Sequence, residues 1–132
     1  MDPAHLPLTV LPETLAVCRL PADAPVPAWT SGDGLVSLTR TGDELSIVCP
    51  AGRVPRGVPA EGGWRAFRVN GAIPFGVTGI LAGLSSPLAT AGVPIFAIST
   101  YDTDYVLVKA ADLPRAVSAL ERAGHAVVEG GA

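Results

Sequence analysis

Residues 88–95 read LATAGVPI, and residues 120–127 read LERAGHAV. Each octapeptide joins the end of a helical pattern to an Ala-Gly stop and then to the start of an apolar strand. Ahead of the first, Leu81, Leu84 and Leu88 recur at helical spacing within 78–91. Thr78 is the candidate N-cap there, Gly92 the stop, and Pro87 is expected to kink the helix or end it early. Ahead of the second, Leu113, Val117 and Leu120 form one stripe, with Asp112 as the expected cap, Pro114 in the tolerated first turn and Gly124 as the stop. Strands are predicted at 94–100 and 104–109, with WRAFRV (64–69) before them and HAVV as a last short strand. The order is strand, helix, strand, strand, helix, strand. A duplicated strand-helix-strand unit predicts an α+β fold, the ferredoxin-like sandwich of a four-stranded sheet with two helices on one face.

Upstream, the chain reads as short strands and turns. ETLAVCRL (13–20) is extended and apolar, and the proline-rich PADAPVPAW after it has room for a short helical turn at most. LVSLT and ELSIVCP flank Arg40, Thr41, Gly42 and Asp43, a strong hairpin signal. AGRVPRGVPAEGG (51–63) is too rich in Gly and Pro for a helix and reads as a loop, which places the division between halves at 1–60 and 61–132. PIFAIS and YVLVK are apolar on both faces, so the sheet is expected to be covered on its second face, in part by a second copy of the chain.

Composition narrows the function. The 132 residues are 48% apolar and 16% charged, which argues for a packed globular chain. The formal charge is −3, and eight of the nine basic residues are Arg scattered along the sequence, so the footprint required by a phosphate backbone is missing and no nucleic-acid partner is expected. The N-terminus MDPAHLPLTV lacks the basic and apolar regions of a secretory signal, and a cytoplasmic location is expected. Residues 69–101 carry no charge, but Pro74, Pro87, Pro94 and four glycines after Gly71 interrupt them, which fits strand, loop and helix better than a membrane span. Cys18 and Cys49 stand singly in strand-like segments and are expected to be buried reduced thiols. No cofactor or metal is called for, and His5, in the terminus, and His125, at a strand start, have no nucleophile or carboxylate beside them in sequence.

The stretch PFGVTGILAGLSSPLATAGVPIFAISTYDTDYVLVKAADLPRAVSALERAGH (74–125) resembles the ACT-domain family. Within that family it is similar to small tandem proteins related to CASTOR-type arginine sensors and to aspartate kinase regulatory domains. GVTGILAGL and ISTYDTDYVLV carry the resemblance most specifically. It implies a C-terminal ACT domain preceded by a shortened ACT-like, β-rich half that lacks an obvious second helix. It further implies a regulatory, non-catalytic protein that binds a small molecule, usually an amino acid, between paired domains. A homodimer and an associated, regulated enzyme are the implied partners. Carried over by position, the ligand loop falls on Gly76, Val77, Thr78, Gly79 and Ile80, and the facing hairpin on Ser99, Thr100, Asp102, Thr103 and Asp104.

The chemistry of those residues suits a zwitterion. Glycines allow close backbone approach, and the unpaired N–H groups of a first helical turn attract an anion. Asp102 and Asp104 offer acceptors for an ammonium through charge-assisted hydrogen bonds. The plainer alternatives are that Gly76 and Gly79 only permit a tight turn, that Thr78 only caps, and that the two Asp residues form a solvated turn. Ser99 and Thr100 point to opposite faces of a regular strand, and Tyr101 and Tyr105 read as packing or interface residues. The alternative function is a protein interaction module with a vestigial ligand site.

Overall fold

The computed structural model describes residues 1–131, which divide into two compact units: Glu13–Trp64, and Met1–Pro12 together with the chain from Arg65 onward. The ten regular elements are β1 (Pro7–Val10), β2 (Leu15–Leu20), β3 (Ser37–Arg40), β4 (Leu45–Pro50), β5 (Ala60–Val69), α1 (Ile80–Thr90), β6 (Phe96–Ser99), β7 (Asp104–Lys109), α2 (Leu113–Arg122) and β8 (Ala126–Glu129).

The unit Glu13–Trp64 is an antiparallel sheet in the order β3-β4-β2-β5, in which β2 lies between β4 and β5, with no α-helix among its residues. The expected hairpin is present: Arg40 pairs with Leu45, the Thr41 amide donates to the Glu44 carbonyl at 2.9 Å, and the Thr41 hydroxyl accepts from the amides of Asp43 and Glu44. The proline-rich connection folds only one 3-10 turn, Ala28–Thr30. β5 begins at Ala60, earlier than the expected loop 51–63 allows. Its register against β2 steps from Leu15↔Trp64 to Val17↔Glu61, and Gly63, at φ 76°, occupies the bulge that absorbs the extra residue. Glycine-rich sequence marks an irregular strand here rather than a loop. Ala16, Cys18, Leu45, Ile47 and Cys49 form the core of this unit. Both thiols are free and buried, and burial pushes Cys18 up to about 11 and raises Cys49.

The other unit carries the two helices. Its strands run β6-β7-β5-β1-β8. β1 lies between β5 and β8, antiparallel to the first (Leu8↔Val69, Val10↔Phe67) and parallel to the second (Leu8↔Val127, Val10↔Glu129). The six-element order expected from sequence is therefore intact but widened by a strand from the N-terminus. Leu6, Leu8 and Val10 drive this insertion, because each is at most 1% exposed within a core that includes Phe67, Leu84, Val106 and Leu120.

Both copies of the octapeptide pattern build the same helix stop. The Gly92 amide donates to Ala89 and the Val93 amide to Leu88; the Gly124 amide donates to Glu121 and the His125 amide to Leu120. These are two Schellman motifs, each with glycine at positive φ (73° and 108°) where a side chain would be strained. The caps at the helix starts differ from expectation. The N-cap position of α1 is Gly79, with no side-chain cap, so Thr78 does not serve there. Asp112 occupies the N-cap position of α2 but makes no cap bond; its Oδ1 instead accepts from Arg115 Nη2 at 3.0 Å.

Pro87 does not end α1, which continues to Thr90. A proline at that position leaves the carbonyl four residues back without a helical donor. That carbonyl belongs to Gly83, and His125 Nε2 lies 2.9 Å from it. The other ring nitrogen, Nδ1, accepts the Leu6 amide at 3.0 Å, so Nε2 carries the proton and donates it to Gly83. His5, assigned from sequence to the terminus, lies with Nδ1 3.1 Å from the Gly124 carbonyl.

Candidate functional site

The segment from β5 to α1 and the hairpin between β6 and β7 meet at one end of the helical unit. The hairpin tip is organised by two threonines. The Thr100 amide donates to the Thr103 carbonyl at 2.8 Å, and the Thr100 hydroxyl accepts the Thr103 amide at 3.2 Å. Thr103, only 8% exposed, donates through its hydroxyl to the Val69 carbonyl at 2.6 Å, which holds the tip against the end of β5. The Ile73 amide donates to the Asp102 carbonyl at 2.7 Å and fastens the loop to the same tip.

Beyond Ile73 the chain turns over Pro74–Val77, closed by the Val77 amide on the Pro74 carbonyl at 3.0 Å. Phe75, at the corner of that turn, is 77% exposed, and Tyr101, at the hairpin tip, is 81% exposed. The two rings meet edge to face, with centroids 5.1 Å apart. Gly79, at φ 86°, redirects the backbone into α1, and the first helical bond runs from the Gly83 amide to the Gly79 carbonyl at 2.8 Å. The amides of Ile80, Leu81 and Ala82 precede that bond and are the orphan donors of the helix start.

Between these pieces lies a cleft of about 360 Å³. Of the residues expected to bind, it is lined by Val77, Gly79, Ile80, Ser99, Thr100, Asp102, Thr103 and Asp104, whereas Gly76 and Thr78 are not on it. Thr100 and Thr103 have their hydroxyls engaged in the tip and serve as walls, leaving Ser99, Asp102 and Asp104 as the polar side chains of that group still open to a ligand. Sequence reasoning missed Ile73, Pro74, Phe75 and Leu81, and read Tyr101 as a packing or interface residue; its ring stands exposed at the mouth of the cleft. The available signal was an aromatic residue beside Gly76 facing another at a hairpin tip. Among the described residues no group of three His, Cys, Asp or Glu side chains is placed to hold a metal ion, and no helix is long and apolar enough to cross a membrane.

Comparison with known proteins agrees with this architecture. Residues 60–122 match the family model described as the ACT domain, and residues 13–57 match a separate model described only as an N-terminal domain. The crystal structure of protein Atu0741 from Agobacterium tumefaciens is 41% identical, covers 97% of this chain and 96% of its own, and superposes with a TM-score of 0.92. Protein VC0802 from Vibrio cholerae, described as of unknown function and a possible transport protein, is 15% identical over 92% of each chain, with a TM-score of 0.76. The aspartate kinase of Clostridium acetobutylicum, described as an allosteric enzyme, is 13% identical over 85% of this chain and 33% of its own, with a TM-score of 0.62. At such identities the last two show a shared fold alone.

Proposed function

We propose, from the premise that the chain belongs to the ACT-domain family, that its cleft binds a small molecule, an amino acid in our reading, and that the protein acts as a cytoplasmic regulator without catalysis of its own. One observation supports this reading: residues of the α1 start and of the hairpin tip, Asp102 and Asp104 among them, line the same cleft, so helix amides and carboxylates are within one site's reach in our reading. Amides at a helix start favour a carboxylate, and the aspartates favour an ammonium. Binding regulates by stabilising whichever arrangement completes the site, in proportion to its differential affinity for the two arrangements. We include in the proposal a homodimer formed along β6, a strand paired with β7 at the end of the sheet among the described residues and bearing no charged residue in Phe96–Ser99, and an associated enzyme as the regulated target.

Thermal-shift measurement against the twenty amino acids tests this. A ligand at one hundred times its Kd adds about 2.7 kcal/mol of stability. A flat panel would overturn the amino-acid reading. The exposure of Phe75 and Tyr101 favours a second reading, a protein interaction module, since exposed aromatics anchor interfaces. In that case the panel is flat, and Phe75→Ala with Tyr101→Ala weakens self-association in sedimentation velocity.

A further inference from the structure

Asn70 and Gly71 join β5 to the loop that leads into α1. Asn70 is the only asparagine in the sequence, which has no glutamine, so it carries the sole side-chain carboxamide of the protein. An asparagine followed by glycine has a reactive geometry within reach: the glycine nitrogen attacks the preceding side-chain carbonyl, and no Cβ stands in its path. Gly71 is exposed, at φ 85°, and a Cβ placed there would meet nothing closer than Met1 at 3.9 Å. Water has access to this junction.

The contacts of the carboxamide favour addition to it. Asn70 Oδ1 accepts from Arg68 Nε at 3.1 Å, and Nδ2 donates to Thr9 Oγ1 at 2.8 Å. A guanidinium on the carbonyl oxygen draws electron density from Cγ and stabilises the oxyanion formed when a nucleophile adds. The same partners suit a carboxylate. With an anion at position 70 the Arg68 contact becomes an ion pair, and the Thr9 hydroxyl turns from acceptor to donor.

We propose that Asn70 is a site of deamidation, with water as the only co-reactant. The Gly71 nitrogen loses its proton and bonds to Asn70 Cγ. The Cγ–Nδ2 bond breaks, and ammonia leaves with a proton as a succinimide ring closes. Water then opens the ring, at Cγ to give aspartate or at the main-chain carbonyl carbon to give isoaspartate. Neither step is a redox step, and each product adds one negative charge to the formal −3. The position gives the reaction a structural consequence that does not depend on what the cleft binds. The Asn70 amide is fixed on the Pro7 carbonyl at 2.9 Å, and the Ile73 amide on the Asp102 carbonyl at 2.7 Å. Isoaspartate routes the main chain through the side-chain carbons, which adds one backbone atom between these anchors and loosens the loop that carries Ile73 and Val77 on the cleft wall.

Intact-mass analysis and peptide mapping of the full chain incubated at pH 8 test the proposal, since a gain of one mass unit by loss of a carboxamide has a single possible origin. The native protein is expected to deamidate at a rate within about tenfold of the same chain unfolded in urea. A slower native rate would show that the fold shields Asn70, and overturns the proposal. Arg68→Met should slow the native reaction about tenfold, whereas an unchanged rate in this variant, with wild-type circular dichroism, overturns the activating role of Arg68. Asn70→Asp places the product directly and keeps the test open should Arg68→Met not fold. Its urea midpoint should equal or exceed that of the wild type, and a lower midpoint contradicts the fit of a carboxylate. Hydrogen exchange at the Ile73 amide should be faster in the isoaspartate fraction than in the aspartate fraction, and equal rates overturn the loosening of the loop.

Discussion

His125 Nε2 donates to the carbonyl of Gly83 at 2.9 Å, in the place of the helical amide that Pro87 cannot supply. The same ring accepts the Leu6 amide through Nδ1. One imidazole thus repairs α1 and fixes the entry to β1, from a position after the end of α2. Because the start of α1 borders the cleft, the repair also steadies one wall of the candidate site.

Replacing His125 by Ala leaves the Leu6 amide and the Gly83 carbonyl unsatisfied, and the expected loss is about 2–4 kcal/mol in urea unfolding. Pro87→Ala returns a donor to Gly83. In a double-mutant cycle the cost of His125→Ala should therefore fall in the Pro87→Ala background. Strict additivity of the two changes would show that the Gly83 carbonyl does not couple them.

Gly83 is required for a second reason. A Cβ there would sit 2.7 Å from the Pro3 carbonyl oxygen, a backbone atom with little freedom to yield. Gly83→Ala should destabilise by about 1–3 kcal/mol despite the better helix propensity of alanine. The exposed neighbour Ala82 provides the control, because Ala82→Ser should change the midpoint of unfolding little. A neutral or stabilising Gly83→Ala would contradict the close approach of Pro3.

Thr103→Val removes the buried donor to the Val69 carbonyl while keeping the shape of the side chain. About 1–2 kcal/mol should be lost. Hydrogen exchange supplies the specific signature: the Ile73 amide, bound to Asp102 at the same tip, should exchange faster, while the Val93 amide in the distant helix stop should keep its protection.

Cys18 keeps its proton in the folded chain to about 11, above its ordinary 9.0, because burial penalises the thiolate. Between these values the unfolded chain has released the proton and the folded one has not, so the folded state binds more protons and stability falls as pH rises through that window. Cys18→Ala should flatten this alkaline loss. In the native protein at pH 8, an aromatic disulfide reagent should label Cys18 slowly, with the rate rising on addition of urea. Rapid labelling of the native protein would place the thiol in a more exposed setting.

The extent to which the fold was legible follows from the range of the interactions involved. Gly92 and Gly124 announced two helix stops because a Schellman motif is satisfied within six residues, and both stops formed as read. The hairpin at 40–45 was equally plain, since Thr41 closes it through its own neighbours. The facing of the α1 loop and the β6–β7 tip was implied by the resemblance to the ACT-domain family, and residues of both line one cleft.

Local pattern could not supply contacts between distant residues. LPLTV has the alternation of a strand, but that β1 enters between β5 and β8 depends on pairings with residues more than fifty positions away. Pro87 looks like a helix breaker in isolation, and only the tertiary structure brings His125 to the carbonyl it strands. Thr78 and Asp112 have cap-forming chemistry, but Gly79 takes the first cap position and Arg115 draws off the carboxylate of the second. Phe75 and Tyr101 meet only because the loop and the tip converge. Propensity and turn chemistry act within a few residues and were decided by the amino-acid sequence directly, whereas strand insertion, hydrogen-bond repair and the mouth of the cleft arise from groups that only folding makes neighbours.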